Sequence, residues 1–140
     1  MRREQGFSLI ELLVVTAIIG IIASLAIPGL QRARRYAQSG SAVQSLRTIT
    51  TAENLYERRF KVYATLADLA PEGTIDANLE SGSKSGYTFT ITLPVDAKHF
   101  SANANPFADL TGTYFFVDDT AVIRYNEGAL ADVTSSPIPR

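Results

Sequence analysis

Few residues in this 140-residue chain have types and spacings that could do chemistry. The most unusual is Glu11, a carboxylate set in the apolar run Phe7-Ser8-Leu9-Ile10-Glu11-Leu12-Leu13-Val14-Val15. In an apolar medium an ionised carboxylate is costly unless a cation compensates it. Near a helix N-terminus the macrodipole also favours it. A chain cut after Gly6 would supply a cation, because Phe7 would then carry a new α-ammonium group. Phe7 and Glu11 are i and i+4, so on a helix they share a face. The ammonium group could pair with Glu11 of its own chain or of a neighbouring copy. In the second case an unsatisfied carboxylate would drive copies together.

The other candidates are weaker. His99 is the single histidine, and alternation in Lys98-His99-Phe100-Ser101-Ala102 turns it away from Phe100 and toward solvent. No Ser/His/Asp grouping follows from one such histidine, and no enzyme activity is expected. Asp96, Asn103, Asn105, Asp109, Asp118 and Asp119 offer the oxygens that calcium prefers. Their spacing is not that of an EF-hand, and Asp is a common turn residue. No residue is assigned to a metal and no cofactor is expected. Gly82-Ser83-Lys84-Ser85-Gly86 lacks the spacing of a phosphate-binding loop. Cysteine is absent, which excludes disulfides, a thiol nucleophile and thiolate metal sites. Thirteen Lys+Arg against 14 Asp+Glu give a net charge of −1, so no nucleic-acid partner is implied.

Two unlike elements must position Glu11 and everything after it. Residues 12–31 carry no charge at all, so the mean hydropathy of +0.05 averages an apolar rod with a polar remainder. Twenty residues of helix span ~30 Å, one bilayer core. A soluble core helix would show a polar stripe, and this one is apolar all round. A secretory signal peptide, with Ser24-Leu25-Ala26 as cleavage site, is the rival reading. It requires a shorter apolar region and a break in pattern that is not seen. Arg2, Arg3 and the α-amino group before the span balance Arg32, Arg34 and Arg35 after it, so charge alone does not orient it.

Beyond Gly29 helical spacing continues. Leu46, Ile49, Ala52, Tyr56, Phe60 and Tyr63 form one apolar face, with Arg47, Glu53, Glu57, Arg58 and Arg59 falling mainly between them. One helix over about residues 8–59 is expected, weakened at Pro28, at Gly20 and Gly29, and at Ser39-Gly40-Ser41. Residues 64–71 hold a short helical turn ended at Pro71, with loop on to Gly86. Strict alternation predicts a strand over 87–93, with further strands over 98–102, 113–117 and 121–125. The last two read as a hairpin through Asp118-Asp119-Thr120. The fold class is therefore α+β. A long N-terminal helix, apolar in its first half and amphipathic in its second, packs on a small antiparallel sheet of three or four strands. Residues 129–140 read as an exposed tail.

Gly6-Phe7-Ser8-Leu9-Ile10-Glu11-Leu12-Leu13-Val14-Val15, after a short basic leader, resembles the N-terminal signal of type IV pilins and type II secretion pseudopilins. The resemblance covers about the first 30 residues, and Pro28 falls where that family usually has a kinking proline. It implies cleavage between Gly6 and Phe7 by a prepilin peptidase and N-methylation of Phe7. It also implies a Glu11–Phe7 charge pair in assembly, and a stretch from Gly20 to Pro28 that can unwind as subunits pack. The organisation it implies is a leader over 1–6, a transmembrane and filament-core helix over 7–30, and an amphipathic helix over 31–60. A globular head over 61–128 and the tail over 129–140 follow. Implied partners are further copies in a helical homopolymer, an inner-membrane platform with its ATPase, and minor pilins. The protein would sit in the bacterial inner membrane, head outside, before joining an extracellular pilus or a periplasmic pseudopilus. Type IV pilus subunit is the leading expectation; the short head, without the cysteines of many pilins, suits a small pilin or a pseudopilin. A pseudopilin is the first alternative. A membrane-anchored binding domain that does not polymerise is the second; it would keep Met1 and tolerate changes at Glu11.

Overall fold

The computed structural model describes residues 7–107 and 109–139. Its first element is α1, Leu9–Phe60, assigned without interruption through Pro28. The Ser39-Gly40-Ser41 triplet does not break it either. Those serines are used for contacts: Ser39 Oγ lies 3.1 Å from Tyr87 Oη, and Ser41 Oγ donates to Ser85 Oγ at 2.9 Å. The helix stops at Lys61, which takes a left-handed φ of 63°. The Lys98 ammonium group then donates to the Lys61 carbonyl at 2.8 Å, a basic side chain serving a helix C-terminus.

The chain divides into two compact units that meet between Tyr36 and Ala37. In the first, every described residue is exposed except Ala23, which is half-buried. The second has its own core. On α1, Ala42, Leu46, Ile49 and Ala52 are all buried, following the three-to-four-residue rhythm of one helix face. Opposite them lies an antiparallel meander of six strands in sequence order. These are β1 Ser83–Lys84, β2 Tyr87–Thr92, β3 Ser101–Pro106, β4 Thr113–Asp118, β5 Arg124–Glu127 and β6 Ser136–Pro137. Rows run across the sheet in register: Phe89 pairs Ala104, which pairs Phe115; Ile91 pairs Ala102, which pairs Val117. Small alanines on the middle strand, both fully buried, let large side chains from either side and from α1 close over them.

The sheet exceeds the expected three or four strands. β1 forms because Ser85 and Gly86 both take positive φ, 52° and 84°, the geometry of a tight hairpin turn. β6 forms from the expected exposed tail. Ser136 and Pro137 pair with β5, and the Ile138 N–H donates to the Ile123 carbonyl at 3.0 Å. Those bonds, together with a buried Ala131, hold residues 129–139 to the head. The expected 98–102 strand is displaced to Ser101–Pro106, and the 121–125 strand to Arg124–Glu127. The second shift follows from the turn. The Asp118 carboxylate accepts from both the N–H and the hydroxyl of Thr120, and Ala121 adopts φ 60°, so residues 119–123 are spent on the connection. Between helix and sheet, α2 Leu66–Leu69, a 3-10 turn Ala70–Glu72 and α3 Ala77–Glu80 fill the linking segment. Asp76 caps α3 by accepting from the Leu79 N–H at 2.8 Å.

Candidate functional site

The candidate site is the N-terminal part of α1. Ser8 initiates the helix, its carbonyl accepting from the N–H groups of Glu11 at 3.1 Å and Leu12 at 3.2 Å. Phe7 therefore precedes the helix in the uncut chain. Glu11 lies in the first turn, where the N-terminal dipole favours a carboxylate. Gly6, Arg2 and Arg3, and with them the leader and one side of the cleavage site, lie outside the described residues.

From Phe7 onward the helix exposes large apolar side chains on all sides. Phe7 is 74% exposed, and Leu9, Ile10, Ile19, Ile21, Leu25 and Leu30 are similarly uncovered. Two of its hydroxyls are satisfied internally. The Thr16 hydroxyl donates to the Leu12 and Leu13 carbonyls at 3.0 Å, and the Ser24 hydroxyl to Ile21 at 2.7 Å. Such back-bonding hides hydroxyls from an apolar medium. The helix is long and apolar enough to cross a membrane. Pro28 offers no N–H to the carbonyl four residues before it, and a Cβ added at Gly20 would meet nothing within 4 Å. Gly20 and Pro28 thus bracket a stretch of lowered helix stability in an unbroken helix.

These features coincide with what comparison finds. Residues 1–27 match the model of the prokaryotic N-terminal methylation motif. The chain is 36% identical over 73 residues to the type IV major pilin protein PilA of Myxococcus xanthus, covering 50% of this chain and 33% of that one. It is 35% identical over 65 residues to the type II secretion system core protein G of Vibrio cholerae, covering 46% of this chain and 44% of that one. A fimbrial protein of Pseudomonas aeruginosa is 44% identical over 52 residues, 37% of this chain and 34% of that one. Over these stretches the chain is similar to type IV pilins and type II secretion pseudopilins. It spans less than half the length of these curated relatives. No solved structure matches it.

The remaining sequence candidates are dispersed. His99 lies in the loop before β3 rather than in a strand, and it is exposed. Its Nδ1 is 2.6 Å from Asp119 Oδ2, a hydrogen bond and charge that hold the imidazole pKa above its ordinary value. The oxygens considered for calcium do not fit one cage. Asp96 accepts from the Lys98 N–H, Asp118 serves Thr120, and the Asn103 amide donates to the Ala131 carbonyl. Asp109 serves Thr111 on the β3–β4 loop, at the other end of the sheet from Asp118. Among the described residues no three His, Cys, Asp or Glu side chains gather as a metal site.

Two polar groups that hold the head together were not legible in the sequence. Glu53, expected between apolar positions, is fully buried. Its Oε2 accepts from the Ala64 N–H at 2.9 Å, whereas Oε1 has no hydrogen-bond partner. Burial pushes its pKa up to about 7; the Ala64 bond opposes this and nearby Asp68 adds to it. Tyr87 reads as an ordinary strand aromatic. Its hydroxyl meets Ser39 on α1 and donates to the Thr113 carbonyl at 2.9 Å, tying helix, β2 and β4 together.

Proposed function

We propose that this chain is a structural, non-enzymatic subunit of a type IV pilus. It is inserted in the inner membrane as a precursor with Arg2 and Arg3 cytoplasmic and the head outside. Prepilin peptidase cuts between Gly6 and Phe7, and Phe7 is N-methylated. An ATPase-driven platform then packs the helices into a filament with minor pilins. The observation that carries this reading is the exposed apolar helix N-terminus holding one carboxylate, Glu11, in its first turn directly after Gly6-Phe7. Such a surface cannot stay bare in water, and a repeated head-to-tail contact that does not close makes a helical filament. In the processed chain Glu11 pairs with the Phe7 amine of a neighbour, and the stretch from Gly20 to Pro28 unwinds during packing.

A pseudopilin is the second reading, favoured by the likeness to the secretion protein of Vibrio cholerae. Mass spectrometry of protein sheared from cells separates the two. N-methylated Phe7 in sheared filaments supports the pilus, and its restriction to the envelope supports the pseudopilus. An intact Met1 instead leaves a membrane-anchored binding domain. Glu11→Leu is expected to be inserted and processed but to assemble poorly; normal filament yield would sink the charge pair.

A further inference from the structure

The sheet has two ends, and α1 enters the head at one of them. Three contacts define that end: Ser39 with the Tyr87 hydroxyl, Ser41 with Ser85, and Gly86 facing the Gln38 side chain. The β3–β4 loop lies there too, since the Phe107 N–H donates to the Gly86 carbonyl at 3.3 Å. So does the start of the β5–β6 loop, since the Gly128 N–H donates to the Gly112 carbonyl at 2.9 Å. These two loops hold Phe107, Leu110 and Leu130, which are 60%, 70% and 65% exposed. The loop carboxylates beside them are engaged in local turns. Asp109 accepts from the Thr111 N–H and hydroxyl, and Asp132 from those of Thr134. Apolar side chains are thus left uncovered at the end of the head nearest in sequence to the uncharged segment.

We propose that this end of the head rests on the outer face of the membrane while the subunit is stored there, with Phe107, Leu110 and Leu130 inserted among the lipid headgroups. The inference rests on the reading that residues 12–31 span the bilayer. Five residues, 32–36, separate that run from the head. As helix they rise ~8 Å, about the depth of one headgroup layer. A link this short tethers the end of the head where its part of α1 begins to within about one headgroup layer of the spanning run. Arg32 and Arg34 fall within the linking residues, where guanidinium groups meet lipid phosphates. Isolated apolar tips on loops, next to basic residues, suit the amphipathic interface.

The chain has no cysteine, so single cysteines can carry a polarity-sensitive fluorophore. The full chain is reconstituted in vesicles of phosphatidylethanolamine and phosphatidylglycerol, labelled at Phe107→Cys, Leu110→Cys, Val95→Cys or Ile19→Cys. Val95 is a fully exposed apolar residue on the β2–β3 loop, at the opposite end of the sheet. Labels at 107 and 110 are expected to lose most of their emission to a lipid-borne quencher and little to an aqueous one, and the label at 95 the reverse. A lipid-quenched label at 19 with labels at 107 and 110 as open to water as that at 95 overturns the docking alone. An unquenched label at 19 overturns the spanning segment and the docking with it. Labels at 107 and 110 shielded from both quenchers assign the patch to a second copy and overturn the lipid contact.

Discussion

Glu53 shows how a single residue can contradict its sequence context and still be physically accounted for. It falls between apolar positions of α1, yet the segment after the helix folds back over it and leaves no water. The Ala64 N–H compensates one oxygen, and the other has no partner. With a folded-state pKa of about 7 against an ordinary 4.5, the folded protein prefers the protonated carboxyl. The contribution of Glu53 is therefore fully present below about pH 4.5 and is lost as pH rises through about 7. The loss amounts to roughly 3 kcal/mol at most, since one pKa unit corresponds to about 1.4 kcal/mol. Glu53→Gln is expected to flatten this dependence, so that the variant gains on the parent as pH rises from 5 to 8. Thermal unfolding of the detergent-solubilised chain at both values checks it, and parallel curves would show that Glu53 does not titrate in that range. His99 acts in the same direction, because its raised pKa makes the charged pair with Asp119 a contribution present at low pH and lost as pH rises. It is exposed, so solvent screens the effect.

At the scale of elements, α1 does two jobs as one helix, Leu9–Phe60, whose ladder lacks only the bond that Pro28 cannot donate. Up to Tyr36 it exposes apolar surface, and from Ala42 it supplies one wall of the head core. Leu46 is fully buried in that wall, whereas Leu55 on the same helix is 51% exposed. Leu46→Ala is expected to cost about 2–5 kcal/mol through lost transfer energy and a residual cavity, and Leu55→Ala much less. Denaturant unfolding of the two variants measures the gap, and equal losses would contradict the assigned face. The face itself was legible, because Leu46, Ile49 and Ala52 keep helical spacing. The strand at Tyr87–Thr92 was legible too, since threonines alternate with large apolar residues. β3 was not. Ser-Ala-Asn-Ala-Asn-Pro has weak strand character, and its alanines suit a strand only because α1 and the flanking aromatics cover them. β6 was hidden for the same reason, being two residues held by pairing rather than by propensity.

For the whole molecule, the division at residue 36 has a direct consequence. Every member of the buried core cluster lies at Ala42 or later, so the head does not draw on the apolar segment for its core. A chain beginning at Ala37 is expected to be monomeric and folded in water, while the full chain needs detergent or lipid. Light scattering coupled to gel filtration, with circular dichroism, checks both statements. An unfolded 37–140 chain would show that residues before 37 contribute to the head.

The sequence by itself determined the apolar segment, its single carboxylate and the Gly6-Phe7 junction. These depend on residue type and on spacing along one helix, which are local properties. It also determined the helix-plus-meander class, through a period of about 3.6 giving way to a period of two. Only the tertiary structure decided the strand number, the pairing of Ser136–Pro137, the burial of Glu53 and the loop tips that cluster where α1 enters the head. Each of these depends on which distant residue is packed opposite, and no local pattern encodes that.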